Sequence, residues 1–224
     1  MKLRNPSARN TQGRKRVKRA HVAVRGGTKK MPADARRDAI LLAFVQETAS
    51  AGCTANASLR AIAQRAGCTT PMIYRLFESR LGLVRAAVQW TYGKLLERLE
   101  MAVRLDALSY EQRLRAIADY VGGRPLGDQE VFEAILGLES RSDRDIAAEV
   151  HGVFERIHGR LSELIQGGVA AGEFRAETDP SYIAWRLTGF GLLDSQLFLL
   201  GLEAPRAQGV LRREFDELLA QILR

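Results

Sequence analysis

Three histidines make up the whole imidazole supply of this chain. Two of them, His151 and His158, stand seven residues apart with Glu155 between. On a helix, positions i, i+4 and i+7 share one face, so two imidazoles and a carboxylate could grip a divalent ion. No fourth ligand is evident, and Arg156 and Arg160 crowd the stretch, so a mixed polar face is the competing reading and no metal is assigned. The two cysteines, Cys53 and Cys68, lack the spacing of a zinc site and the number of a disulfide scaffold. Neither has a neighbour that would obviously lower its pKa, so a thiol switch is weaker than the reading of Cys68 as a small buried hydrophobe. The sequence contains no P-loop, dinucleotide-binding glycine motif, G-x-S-x-G or H-E-x-x-H. No catalytic residue and no cofactor are therefore assigned, and an enzyme is the remote reading.

Charge carries more information. Residues 1–30 hold 11 of the 34 Lys and Arg and no Asp or Glu, so the remaining 194 residues are net −3 while the chain is +8. The arm has too few apolar residues to offset ordering entropy and reads as disordered. Such an arm suits a polyanion, above all a nucleic-acid backbone, because each cation near a phosphate releases counterions. A solubilising tail, or an over-extended start with the folded part beginning at Met31-Pro32, reads equally well. The arm has no apolar h-region, so it is not a secretory signal. The longest strongly apolar run near the C-terminus, Leu197 to Leu202, is far short of the ~20 residues a bilayer span needs. With the reduced cysteines, this points to a soluble, cytoplasmic protein and no membrane partner.

The elements that must position any site are helical throughout. Aromatics are only 7% of the chain, which disfavours a β-sandwich, while 46% hydrophobic content suffices for a core. Ile40, Leu41, Phe44, Val45 and Thr48 fall at helical spacing, predicting a helix over 34–50 stopped by Ala51-Gly52. Ser58 caps a short helix to Ala66, ended by Gly67, and Thr69 or Thr70 caps a third with Pro71 in its first turn. Further helices follow over 81–105, 109–121, 128–138, 143–171, 180–200 and roughly 207–223. The expected fold is all-α, with about nine helices.

Residues 58–77 read S-L-R-A-I-A-Q-R-A-G-C-T-T-P-M-I-Y-R-L-F, two short helices joined through a glycine. That connection suits a helix-turn-helix, in which one helix enters a major groove roughly 12 Å wide and the other braces it. Thr69, Thr70 and Met72 are slim enough to approach base edges, and Tyr74, Arg75 and Arg80 are phosphate donors. Ser58 opens a helix whose free N–H groups suit a phosphate as well as a cap. Arg60 reads equally as a DNA contact or as part of a solvated face.

Here the sequence resembles the tetracycline-repressor (TetR) family of bacterial regulators. The residues that carry the likeness are Ile62-Ala63, Ala66-Gly67, Tyr74, Leu76, Phe77 and a basic residue at Arg80, preceded by E-T-A-S-A-G. The segment G-V-A-A-G-E-F-R-A-E-T-D-P (168–180) looks like the loop between the family's seventh and eighth helices. Pro71 and Met72 stand where many members carry a glycine or lysine and a small polar residue, and Arg80 replaces the commoner lysine. The resemblance implies three parts: the arm 1–30, a helix-turn-helix DNA-binding domain 31–80, and a helical effector-binding and dimerisation domain 81–224.

Trp90, Phe132, Leu136, Phe154, His158, Trp185 and Phe190 read from the sequence as core. The resemblance implies that some of them line a cavity for a small, largely hydrophobic effector, with Gln89, Tyr92, Glu139 or His158 as polar groups. The last two helices are apolar beyond one face: Leu192, Gln196 and Leu199, then Phe215, Leu218, Leu219 and Ile222. Intramolecular packing explains that pattern, and so does a homodimer, which the resemblance favours. The implied function is a ligand-responsive regulator, most often a repressor, that binds a palindromic operator in double-stranded DNA and is released by its effector. An effector-independent DNA-binding protein is the alternative. Deleting residues 1–30 separates the readings of the arm: the slope of log K against log salt flattens if the arm touches phosphates, and stays unchanged if it only solubilises.

Overall fold

A computed structural model describes residues 32–202 and 209–224, and nine α-helices run through them. They are α1 (Ala33–Ala51), α2 (Leu59–Arg65), α3 (Thr70–Phe77), α4 (Arg80–Arg104), α5 (Tyr110–Gly123), α6 (Asp128–Glu139), α7 (Arg144–Ala170), α8 (Pro180–Leu199) and α9 (Val210–Ile222). The all-α expectation holds. The basic arm and the expected start of the last helix at Ala207 lie outside the described residues.

The caps are local and legible. Ser58, Ser79, Ser109, Asp143 and Asp179 each accept a hydrogen bond from a backbone N–H of the helix they open. Ser109 and Gln112 form a reciprocal capping box. Gly52 closes α1 in the left-handed region at φ 74°.

α7 is the central rod and packs against α4, α5, α6 and α8. The first three helices attach to α4 and α6: the apolar face of α1 (Ile40, Leu41, Phe44, Val45) meets α2, α4 and α6, and α3 packs directly on α4. Phe44 and Phe132 stack edge to face there, ring centroids 5.9 Å apart. Phe132 is thus core between α1 and α6, and the fully buried Leu136 joins it in the core; neither borders the cavity described below. That corrects their expected role.

α9 also differs from expectation. Phe215, Leu218, Leu219 and Ile222 are at most 6% exposed within the protomer, because α9 lies on α5 and α8. The chain end is tied down too: Arg175 N–H donates to Ile222 O at 2.8 Å and Arg224 N–H to Glu173 O at 3.1 Å. The apolar stripe that suggested a subunit contact is satisfied internally, so these four residues are unavailable to a second subunit.

The α3–α4 junction is the tightest corner. Glu78 is the single non-glycine residue with positive φ among those described, at φ 64° and ψ −44°. Ser79 N–H donates to Phe77 O at 2.6 Å across it, a strained three-residue turn. A Cβ on Gly82 would lie 2.0 Å from that same Phe77 carbonyl oxygen, so the first turn of α4 can reach the end of α3 only without a side chain there. Gly93, in the same helix, has open space around it. Gly82→Ala is expected to cost about 1–3 kcal/mol through forced backbone movement, whereas Gly93→Ala gains about 0.5–1 kcal/mol of helix propensity. Urea unfolding of the two variants checks the opposite signs.

Candidate nucleic-acid interface and cavity

α2 turns its apolar side inward, with Ile62, Ala63 and Ala66 buried. The turn that follows needs Gly67, which sits at φ 63° while Cys68 N–H donates to Ala63 O at 2.9 Å. α3 then starts at Thr70 with Pro71 in its first turn, and its backbone is braced by Met72 N–H donating to Thr69 O at 2.9 Å.

The two faces of α3 are unequal. Ile73 and Phe77 are buried, and Arg37 lies over the Phe77 ring at 4.6 Å while its Nη1 donates to Leu76 O at 3.3 Å. Tyr74 is 47% exposed, Thr69, Pro71 and Arg75 are exposed, and Thr70 and Met72 are half-buried. The leading end and outer face of the helix are therefore open to solvent. Ser58 and Arg60 are exposed at the start of α2, with Ser58 Oγ accepting from Ala61 N–H at 3.3 Å.

Arg80 departs from the expected phosphate anchor. Its Nε donates to Thr54 O at 3.2 Å and its Nη2 to Ala57 O at 2.6 Å, with a further Nη2 bond to Thr54 O. The guanidinium is spent on the α1–α2 loop because that loop turns two carbonyls towards the start of α4. Glu139 departs in the same way. Its two carboxylate oxygens accept from Thr54 N–H and Thr54 Oγ1–H, each at 2.7 Å, so it anchors the loop and does not line a cavity. Sequence offered no signal for either pairing.

A cavity of about 1350 Å³ lies among α4, α5, α6, α7, α8 and α9. Of the residues proposed from sequence, Trp90, Phe154 and Phe190 border it, joined by Leu95, Ile117 and Leu187. His158 and Trp185 do not. They stack on each other at 4.4 Å, Trp185 is 53% exposed, and His158 Nε2 lies 3.2 Å from both Ser181 O and Oγ. Gln89 accepts from Arg156 at 2.5 Å instead of facing the cavity, which leaves Tyr92 as the polar lining residue that sequence anticipated.

The polar end of the cavity had gone unread. Arg124, Gln129 and Glu133 line it with Thr91 and Tyr92. Gln129 Nε2 donates to Glu133 Oε1 at 3.1 Å and to Thr91 O at 3.5 Å. Burial pushes the Glu133 carboxyl up, opposed by the Arg124 charge. Burial, then the Glu133 charge, pushes the Tyr92 phenol well up. The available signal was Glu133 interrupting the apolar run V-F-E-A-I-L of α6, with Glu130 just before it.

His151 Nε2 pairs with Glu155 Oε1 at 3.0 Å while His158 turns to Trp185. Among the described residues no group of three His, Cys, Asp or Glu is placed to hold a metal ion. Cys68 packs partly buried against the core, and its burial pushes the thiol up. Cys53 Sγ accepts from Asn56 N–H at 3.3 Å.

α8 shows an apolar stripe to the outside. Tyr182, Trp185, Leu192, Leu193 and Leu200 are 43–70% exposed, and Gln196 is exposed among them. Leu199 is half-buried. None of the helices among the described residues is long and apolar enough to cross a membrane.

Known proteins share this architecture. The HTH-type transcriptional activator FasR of Mycolicibacterium smegmatis is 29% identical over 156 residues, 70% of each chain. A TetR transcription regulator from Haloarcula marismortui superposes with TM-score 0.71 at 14% identity, over 85% of this chain and 100% of that one. The transcriptional regulator FadR from Bacillus subtilis, solved with stearoyl-CoA, gives TM-score 0.65 at 16% identity, over 83% and 98%. No protein-family model matches the chain.

If Arg80 is a structural clamp, Arg80→Ala lowers folding stability by about 2 kcal/mol, the scale of hydrogen bonds to a charged group. Denaturant unfolding without DNA measures it, and an unchanged midpoint overturns the clamp.

Proposed function

We propose that this chain, whose fold is that of the TetR-family regulators, is a ligand-responsive transcriptional regulator acting on duplex DNA as a homodimer. The observation that carries the reading is the amphipathic split of α3: Ile73 and Phe77 hold it to the body while Thr69, Pro71, Tyr74 and Arg75 face outward.

Residues 31–80 form the reading head in this proposal and 81–224 the effector and dimer part. Thr69, Thr70 and Met72 approach base edges from the leading end of α3. Tyr74, Arg75, Ser58 and Arg60 contact phosphates and set the register. Arg80 acts from behind, by holding the loop that leads into α2. The exposed stripe of α8, with Leu192 and Gln196 in it and Leu199 at its edge, pairs with its copy about a twofold axis. The operator is then a pseudo-palindrome with half-sites about one helical turn or more apart.

The cavity takes a small, largely hydrophobic effector on Trp90, Phe154 and Phe190. α4 lines the cavity along its middle and touches Phe77 O and the α1–α2 loop at its start. An effector that favours a shifted α4 thereby moves the head, and DNA weakens effector binding by the same factor. The resemblance favours a repressor released by its effector, whereas the M. smegmatis relative is called an activator. The reading needs no catalytic residue and no cofactor.

Selection of duplexes from a random pool, followed by footprinting, tests the assignment. The expected outcome is one protected pseudo-palindrome whose affinity falls at least about tenfold in Thr70→Ala or Tyr74→Ala, the scale of losing a base or phosphate contact. Leu193→Glu, in the stripe, sediments as a monomer and loses the same site. Absence of any protected sequence at low salt refutes the proposal.

A further inference from the structure

The polar end of the cavity has a chemistry of its own. Thr91 Oγ1 is buried, has no hydrogen-bond partner, and belongs to a residue 8% exposed on the cavity wall. A buried hydroxyl normally finds a partner, so one without marks a place where a bound molecule supplies it. Gln129 links the Thr91 backbone to the Glu133 carboxylate, which puts hydroxyl and carboxylate at the same end.

The charges decide what that molecule carries. Glu130 is 1% exposed, and Glu130 Oε1 lies 3.4 Å from Arg124 Nη2; Glu133 Oε1 lies 3.7 Å from Nη1. Arg124 Nη2 also donates to Ser195 Oγ at 3.3 Å, and the buried Asp194 lines the same wall. One guanidinium thus faces two carboxylates, with the carboxyl of Asp194 on the same wall. An anionic head group would enter as a further negative charge beside Glu133. A protonated amine would bring positive charge to this acidic end, donating one N–H to the Glu133 carboxylate, which also accepts hydrogen bonds from Gln129, Arg124 and Tyr92, and another to the unpartnered Thr91 Oγ1. Away from this end the walls include the apolar Trp90, Leu95, Ile117, Phe154, Leu187 and Phe190, and the charged Lys94, Glu97, Arg98, Asp119 and Arg212 also border the cavity.

We propose that the effector is an apolar molecule bearing a primary or secondary ammonium, seated on Glu133 and Thr91 at the inner end of the cavity. This rests on the reading of the cavity as an effector site, and the experiment separates the two.

Decylamine, decanoate, decanol and stearoyl-CoA are titrated into the full chain by calorimetry at neutral pH, and displacement of anilinonaphthalene sulfonate is followed in parallel. Decylamine is expected to bind at least tenfold more tightly than decanoate or decanol. Glu133→Gln brings it to within about twofold of decanol while leaving decanol unchanged, and Thr91→Val weakens it about threefold. Circular dichroism establishes that each variant is folded, and Thr91→Val carries the test if Glu133→Gln is not. Decanoate or stearoyl-CoA binding as tightly as the amine, or an amine preference that survives Glu133→Gln, overturns the head-group assignment and leaves the cavity reading standing. No binding by any of the four probes overturns both.

Discussion

Every polar atom of the Thr54 backbone and side chain is held from the C-terminal helices. Its N–H and hydroxyl go to the two oxygens of Glu139 on α6, and its carbonyl to Arg80 on α4. Thr54 is 6% exposed, so these are desolvated, charge-assisted bonds, stronger than neutral ones. The loop carrying Thr54 leads directly into Ser58 and α2, and Arg80 reaches Ala57 as well. The position of the two short helices is thus fixed from two separate helices, and the apolar contact of α1 with α4 and α6 supplies the bulk of the adhesion. Hydrophobic contact alone is non-directional and leaves rotation open. The Thr54 bonds set direction.

α6 joins this anchor to the cavity. Glu133 and Glu139 lie six residues apart on one helix, about 9 Å along its axis at 1.5 Å per residue. Burying Glu130, Glu133 and Arg124 together has a large desolvation cost, and well-packed apolar residues of similar volume often give equal or greater stability. Glu130 has a structural role, since it accepts from Gly127 N–H at 2.6 Å at the start of α6, whereas Glu133 has no capping role and borders the cavity. Glu133 on the cavity wall and Glu139 on Thr54 are thus carried by one helix.

What was legible in the sequence was what is decided locally. Ser58, Gly67 and Pro71 announce α2, the turn and α3 through capping, positive φ and a missing N–H, each acting within a few residues. Helix limits came within a few residues for the same reason. What was misread depends on partners far along the chain. Arg80 meets a loop 26 residues back, and Glu139 meets Thr54 from 85 residues away. Periodicity identified the apolar face of α9 but was silent on what covers it, and α5 and α8 cover it. Phe132 and Trp185 look alike in sequence as aromatics in helices, yet one is sealed against Phe44 and the other stands half in solvent.

Two helices, then, both line the cavity and both hold Thr54: α4 through Thr91 and Arg80, α6 through Glu133 and Glu139. Thr54 is bonded to both helices, its carbonyl to α4 and its N–H and hydroxyl to α6. If α4 and α6 move apart, one set of bonds must lengthen, and hydrogen bonds weaken steeply outside their preferred geometry. The coupling such an element can transmit is bounded by the bonds at stake, a few kcal/mol, which is the range of 1–3 kcal/mol typical of allosteric regulation. At the corner of Glu78 and Gly82, α3 approaches α4 so closely that a Cβ on Gly82 would strike the Phe77 carbonyl. Loop and junction together tie the start of α2 and the end of α3 to α4 and α6.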